Sequence, residues 1–198
     1  MTNCYLCHQE GTDKGIIIDP GADADKIAAA CRQAGVSPTL AVNTHAHYDH
    51  IGANAALKNL YPGLRFAIGT LDADSLSDPE QNLSAGFGVN AEVPAAELQL
   101  DDGDTVNQNA CDFRIHHTPG HTRGSVSLVS SGEQPWVVFC GDLLFADGVG
   151  RTDLPGGNSK QLRDSIEELL SSIPDDAILY PGHGPAVTVK ERKAVTGL

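Results

Sequence analysis

Short apolar runs alternate along this chain with amphipathic stretches of helical period. Cys4-Tyr5-Leu6-Cys7-His8 reads as a first strand that turns near Gly11-Thr12, and Gly15-Ile16-Ile17-Ile18-Asp19 as a β-branched second strand stopped by Pro20-Gly21. A Gly/Asp turn between them predicts a hairpin. Over residues 23–34, Ile27, Ala30, Cys31 and Ala34 recur at spacings of three and four, which predicts an amphipathic helix closed by Gly35. Residues 39–43 form the next strand, 53–61 a short helix ended by Pro62-Gly63, and 65–68 another strand. Periodicity then fails over residues 71–94, which read as a partly helical excursion near a site mouth. A short strand at 97–100 leads to Asp101-Asp102-Gly103-Asp104, which lacks the alternating ligands of a calcium loop and reads as a hairpin turn. Residues 111–117 make a strand, and residues 125–129 and 136–140 a hairpin about Ser131-Gly132. Ser159 is expected to cap a helix over 160–171, and 177–180 to be the last strand. Strands and helices alternate in both halves, so the fold class is α/β, with mixed sheets and helices outside. No repeat or linker interrupts the pattern, so residues 1–198 are expected to form a single domain.

Charge narrows the partners. The chain carries 13 Lys and Arg against 26 Asp and Glu, a net −13. Such a surface repels nucleic acid and anionic membrane, and any anionic substrate must be met by a local cation. No apolar stretch approaches the ~18 residues of a membrane span. The start, Met1-Thr2-Asn3-Cys4, has no signal-peptide character, and five cysteines, an odd number, fit reduced thiols in a cytoplasm. Residues 4–8 also spell the C-x-x-C-H of covalent haem attachment, but that attachment follows export, and the strand reading is preferred.

The chemistry concentrates in Thr44-His45-Ala46-His47-Tyr48-Asp49-His50, directly after an apolar run. Imidazole and carboxylate are donors that Zn, Fe and Mn accept. His45, His47, Asp49 and His50 could not all converge from a helix, but could from a loop leaving a strand. Three further strands end in Gly/Pro turns that bear a donor: His121, Asp142 and His183. Seven N/O donors are too many for one tetrahedral ion and suit two, with one carboxylate shared. His116 and His117 lie on a strand with opposite facing and are read as supporting the ligands or as structural, not as ligands themselves.

These segments, with Asn3-Cys4-Tyr5, Ile18-Asp19-Pro20-Gly21, Thr118-Pro119-Gly120-His121-Thr122, Gly141-Asp142 and Gly182-His183-Gly184-Pro185, resemble the metallo-β-lactamase superfamily, in its glyoxalase II-like branch. The resemblance covers nearly the whole chain. It implies a four-layer αββα sandwich and two divalent ions, Zn first, with Fe or Mn able to replace it. It implies that His45, His47 and His121 hold one ion, Asp49, His50 and His183 the other, and that Asp142 bridges, which places Asp49 and Asp142 at the catalytic centre. The loop around Gly150 and Arg151 looks like the one with which glyoxalase II enzymes line a thioester, and Arg151 and Arg123 could hold a substrate carboxylate. The expected activity is hydrolysis of a thioester of glutathione or another small thiol. Only 15 residues follow His183, so the helical extension that binds glutathione in that branch is not expected here. The zinc β-lactamases of the best-known class carry a Cys near the Asp142 position, where this chain has none, which argues against penicillin hydrolysis. The Gly150-Arg151-Thr152-Asp153 run also resembles persulfide dioxygenases, which use one iron. Lactone hydrolysis and a metal-bound metabolite sensor are the remaining alternatives.

Overall fold

The computed structural model describes residues 1–89, 91, 93–108, 111–130 and 136–196. One sheet has the order β1 (Tyr5–His8), β2 (Lys14–Ile18), β3 (Ser37–Asn43), β4 (Arg65–Gly69), β5 (Leu98–Leu100). Its β1–β2 pair is antiparallel, and the other pairs are parallel. The second sheet runs β11 (Val187–Thr188), β10 (Ile178–Pro181), β9 (Val137–Gly141), β8 (Val126–Ser130), β7 (Cys111–His117), β6 (Thr105–Gln108). Only β9–β10 is parallel there, so both sheets are mixed.

The period of two along each strand builds the layers. Ile16, Ile18, Leu40, Val42 and Ala67 meet Phe113, Ile115, Val126, Leu128 and Phe139 between the sheets. The alternate residues Ile17, Ala41 and Phe66 face outward, into a cluster that includes Cys31 of α1 (Ala24–Ala34) and Leu57 of α3 (Asn54–Leu60). On the far side Val129, Val138, Cys140 and Leu179 pack with Leu162, Ile166, Leu169 and Leu170 of α4 (Ser159–Ser172). Each fully buried Ile or Leu contributes about 1.5–3 kcal/mol. Helix, sheet, sheet, helix is the expected order of layers. Gly35 stops α1 in the left-handed conformation, φ 69°. Among the described residues no helix is long and apolar enough to cross a membrane.

Several expectations need correction. The turn at residues 101–104 is not a hairpin, because β5 and β6 on either side of it belong to different sheets. β6 itself, with Val106 its one buried apolar residue, gives no alternating signal and escapes the pattern. Asn158, not Ser159, caps α4: its backbone is extended and its Oδ1 accepts from Lys160 N–H and Gln161 N–H, both at 3.0 Å. Residues 177–180 are not the last strand, since β11 and α5 (Val189–Thr196) follow. The hairpin turn at Ser131-Gly132 lies outside the described residues, while the β8–β9 pair is antiparallel as expected. Residues 71–94 hold 3₁₀ turns at Thr70–Asp72, Asp74–Ser77 and Ser84–Phe87, the expected partly helical excursion.

Candidate metal centre

Four strand ends carry the seven donors. β3 delivers His45 and His47 on a loop that winds into the one-turn helix α2 (Tyr48–Ile51), where Asp49 and His50 sit. The expectation that a loop alone holds this cluster is therefore corrected. His121 lies between β7 and β8, Asp142 just after β9 and His183 just after β10. Backbone bonds lock these turns together: Val126 N–H donates to Thr44 O (2.9 Å), and Gly182 N–H to Gly141 O (2.8 Å).

The donors converge. The rings of His45, His47 and His121 stand nearly perpendicular to one another, with centroids 4.6–4.7 Å apart. One ligand atom from each of these three lies within 4.8 Å of the others; the same holds for Asp49, His50 and His183, and for His45, His50 and Asp142. Asp142 touches both sets. Its Oδ2 is 3.5 Å from His121 Nε2 and 3.5 Å from His183 Nε2, and its Oδ1 is 3.4 Å from His50 Nε2. His116 and His117 join no donor group among the described residues, and the His117 ring instead meets Arg123 O at 2.8 Å.

A divalent ion fits this donor set. His45 Nε2, His50 Nε2 and Asp142 Oδ1 are buried without a hydrogen-bond partner, and His47 Nδ1 faces His121 Nε2 at 2.9 Å. Each such orphan costs about 1–3 kcal/mol, and a cation among them would satisfy all. The electrostatics agree. Burial, reinforced by the neighbouring histidines, holds His45 well below the usual imidazole range and His47 at about 3, so both rings are neutral, as ligation requires. Burial also disfavours charge on His50, but Asp19 and Asp142 outweigh it and lift the ring to about 10; hydrogen bonds to Asp142 and Asp49 lift His183 to about 10. In that half of the site the carboxylates favour positive charge, which a divalent ion would supply. Burial works against the Asp142 and Asp49 charges, yet His183 and His50 hold both carboxyls below their usual range.

Residues that the sequence reading passed over orient the donors. Asp19, buried with φ 51°, accepts from Thr44 N–H (2.7 Å) and Thr44 Oγ1 (2.8 Å), and its Oδ2 is 3.0 Å from His50 Nδ1. The Arg151 carbonyl lies 2.8 Å from His121 Nδ1; since it can only accept, that nitrogen keeps the proton and Nε2 faces the site. Asp72, on the 71–94 connection, is buried and ties the two histidine loops together: it accepts from Ala46 N–H (3.1 Å), Thr122 Oγ1 (2.7 Å) and Gly124 N–H (2.7 Å). An acidic residue directly after the Ile16-Ile17-Ile18 run was a signal for Asp19. Asp72 stood among Asp74 and Asp78 without one.

The expected substrate residues are less committed. The Arg151 side chain is exposed and already paired with Asp153, at 2.7 and 2.8 Å. Arg123 is exposed and passes beside Gly156. Gly150 is buried, and a Cβ there would strike Asp142 O. Gly182 is as constrained: a methyl would collide with the Asp142 carboxylate and lie 2.6 Å from His50 Cε1. Gly182→Ala is expected to weaken metal binding 10–100-fold, the range seen when ligand orientation is disturbed. Metal titration of the purified variant checks this; wild-type affinity would mean that the site tolerates a displaced Asp142.

Comparison with known proteins follows the same lines. Residues 1–183 match the metallo-beta-lactamase superfamily model. The chain is 36% identical over 192 residues to the probable metallo-hydrolase YqgX of Bacillus subtilis, covering 96% of this chain and 88% of the relative. It is 32% identical over 195 residues to the hydroxyacylglutathione hydrolase GloC of Haemophilus influenzae, covering 96% and 89%. Among solved structures it resembles the B3 metallo-beta-lactamase BLEG-1, with a TM-score of 0.90, 32% identity and coverage of 98% and 91%. It also resembles TTHA1623 in a di-iron-bound form, with a TM-score of 0.81, 34% identity and coverage of 98% and 92%. ETHE1 from Myxococcus xanthus follows, with a TM-score of 0.79, 29% identity and coverage of 97% and 76%. With its two mixed sheets, its convergent His/Asp donors and a family match over most of its length, this chain belongs to the metallo-β-lactamase superfamily.

Proposed function

We propose that this protein is a metal-dependent hydrolase that cleaves a thioester of glutathione or another small thiol. The observation that carries the reading is the position of Asp142, in contact with histidines of both donor groups. In this reading His45, His47 and His121 would hold one divalent ion, Asp49, His50 and His183 would hold a second, and Asp142 would serve both. Zinc comes first; iron and manganese suit the same donors, and the similarity to a di-iron protein supports iron. When bound, a metal pair would supply an acidified water, with a pKa of about 7, and polarisation of a carbonyl.

The protein's own residues do the rest. Asp49 and Asp142 stay ionised at neutral pH and keep the centre charge-balanced. Arg151 and Arg123 offer guanidinium groups to a substrate carboxylate against an acidic surface. For Arg151 the exposed Asp153 must give way, an exchange that costs little because water screens such a surface pair. The four donor-bearing turns contain no Lys to act as general acid. A thiolate leaving group, with a pKa of about 8.5, departs without one, whereas an amine does not. The similarity to a hydroxyacylglutathione hydrolase supports the same substrate class.

The likeness to ETHE1 favours a second reading, a mononuclear-iron persulfide dioxygenase. Metal content and turnover of freshly purified protein separate the two. The expected result is two metals per chain, thioester cleavage and no oxygen uptake with glutathione persulfide. One iron with oxygen uptake would reverse the order. Preferential turnover of a lactone or a β-lactam would replace the thioester, and no turnover of any of these would leave a metal-bound sensor.

A further inference from the structure

We propose that the N-terminal strap, Met1-Thr2-Asn3, is a positioning element for the Asp49–His50–His183 group and sets how tightly that group holds its ion. The inference rests on the two-ion reading above.

Thr2 Oγ1 donates to Asp49 Oδ2 at 2.7 Å. That same oxygen faces the other donors of the group, 3.2 Å from His183 Nε2 and 3.6 Å from His50 Nε2. The hydroxyl therefore fixes which carboxylate oxygen points inward. On the other side the Met1 carbonyl lies 3.2 Å from His183 Nδ1. A carbonyl only accepts, so Nδ1 carries the proton and Nε2 is left to ligate. Two ligands of one group are thus oriented by consecutive residues of the strap.

The strap is itself docked on the His183 turn. Asn3 N–H donates to Gly182 O (2.7 Å), its side-chain amide donates to Pro181 O (3.0 Å) and Gly184 O (2.8 Å), and the Tyr5 hydroxyl donates to Pro181 O (2.6 Å). These bonds connect opposite ends of the chain, and Asn3 is the pivot.

The two donor groups differ in what surrounds them. His45, His47 and His121 are 1–3% exposed, and their loops are tied by buried Asp72. The side chains of Asp49 and His183 are 42% and 33% exposed. A ligand open to water keeps more rotamer freedom, so an orienting partner matters more to it. The second ion is therefore expected to bind more weakly than the first, with its affinity coupled to strap docking.

Stepwise titration of metal-free protein with Co²⁺, followed by its visible spectrum, tests this in wild type, Thr2→Val, Thr2→Ser and Asn3→Ala. Thermal melting is run in parallel as the control for folding. The expected result is two ions in the wild type, with the second weakened about 10–100-fold in Thr2→Val, as for loss of an orienting partner. Thr2→Ser should restore it, Asn3→Ala should weaken it, and the bands of the first ion should not change. Unchanged affinity of the second ion in Thr2→Val overturns the inference while leaving the two-ion reading intact. Equal weakening of both ions, or no rescue by serine, also overturns it. A wild-type chain that takes up a single ion overturns the two-ion reading and the strap inference with it.

Discussion

Asp142→Ala is expected to abolish turnover and reduce the metal content from two ions to one. The carboxylate reaches His121 of one group and both His50 and His183 of the other, so its loss removes the one donor shared by the two groups. It also removes a charge that supports His50 and His183. Several kcal/mol of transition-state stabilisation are attributed to a catalytic metal. At 1.36 kcal/mol per decade, the rate should fall about a thousandfold or more. Metal analysis and kcat on the same preparation give the result. Activity that survives with two ions bound would end the shared-carboxylate mechanism. Loss of activity with both ions retained would keep the metal pair and move Asp142 to a purely electrostatic role.

Asp72→Asn comes second in expected effect. Asp72 touches no ligand, yet its two oxygens accept three hydrogen bonds from the loops that carry His45, His47 and His121. An amide has one acceptor oxygen, so its NH₂ group must face either Gly124 N–H or the Ala46 and Thr122 donors. Hydrogen bonds to a charged group are worth about 1.5–3 kcal/mol each, and an orphaned buried donor costs about 1–3 kcal/mol. A net loss of about 3 kcal/mol is expected, which at about 2–4 °C per kcal/mol for this chain length lowers Tm by roughly 6–12 °C. Metal binding to the His45–His47–His121 group should weaken 10–100-fold as the loops separate. Thermal melting and metal titration check both parts. A normal Tm with normal affinity would show that the three bonds are dispensable. The effect should be the converse of Thr2→Val, which targets the other group.

Much of the centre was visible along the chain. Three imidazoles and a carboxylate within residues 45–50, after an apolar strand, have few uses other than a metal, and Gly/Pro turns after three other strands marked His121, Asp142 and His183. Their donor types, N and O without sulfur, narrow the metal because ligand preference belongs to the atom and not to the fold. Asp72 and Thr2, which orient some of them, were not visible. Asp72 acts across 26, 50 and 52 positions, and Thr2 across 47. A lone acidic residue in an irregular stretch, or a threonine near a chain start, looks like any polar surface residue until its partner arrives.

The same division holds for the architecture. Strand and helix periods follow from local burial, and so β2, β3, α1 and α4 could be read from residue order alone. Which sheet a strand enters could not. Only four residues separate β5 from β6, yet each pairs into a different sheet. That choice is made by partners far away in sequence: β5 bonds to β4, while β6 bonds to β7. The sequence by itself determined the donors, their chemistry and the periods of the elements, because these depend on side-chain type and near neighbours. The tertiary structure alone decided the pairing of sheets, the meeting of two donor groups at Asp142, and the hydrogen bonds that aim each ligand. Those depend on distances between segments that residue order does not contain.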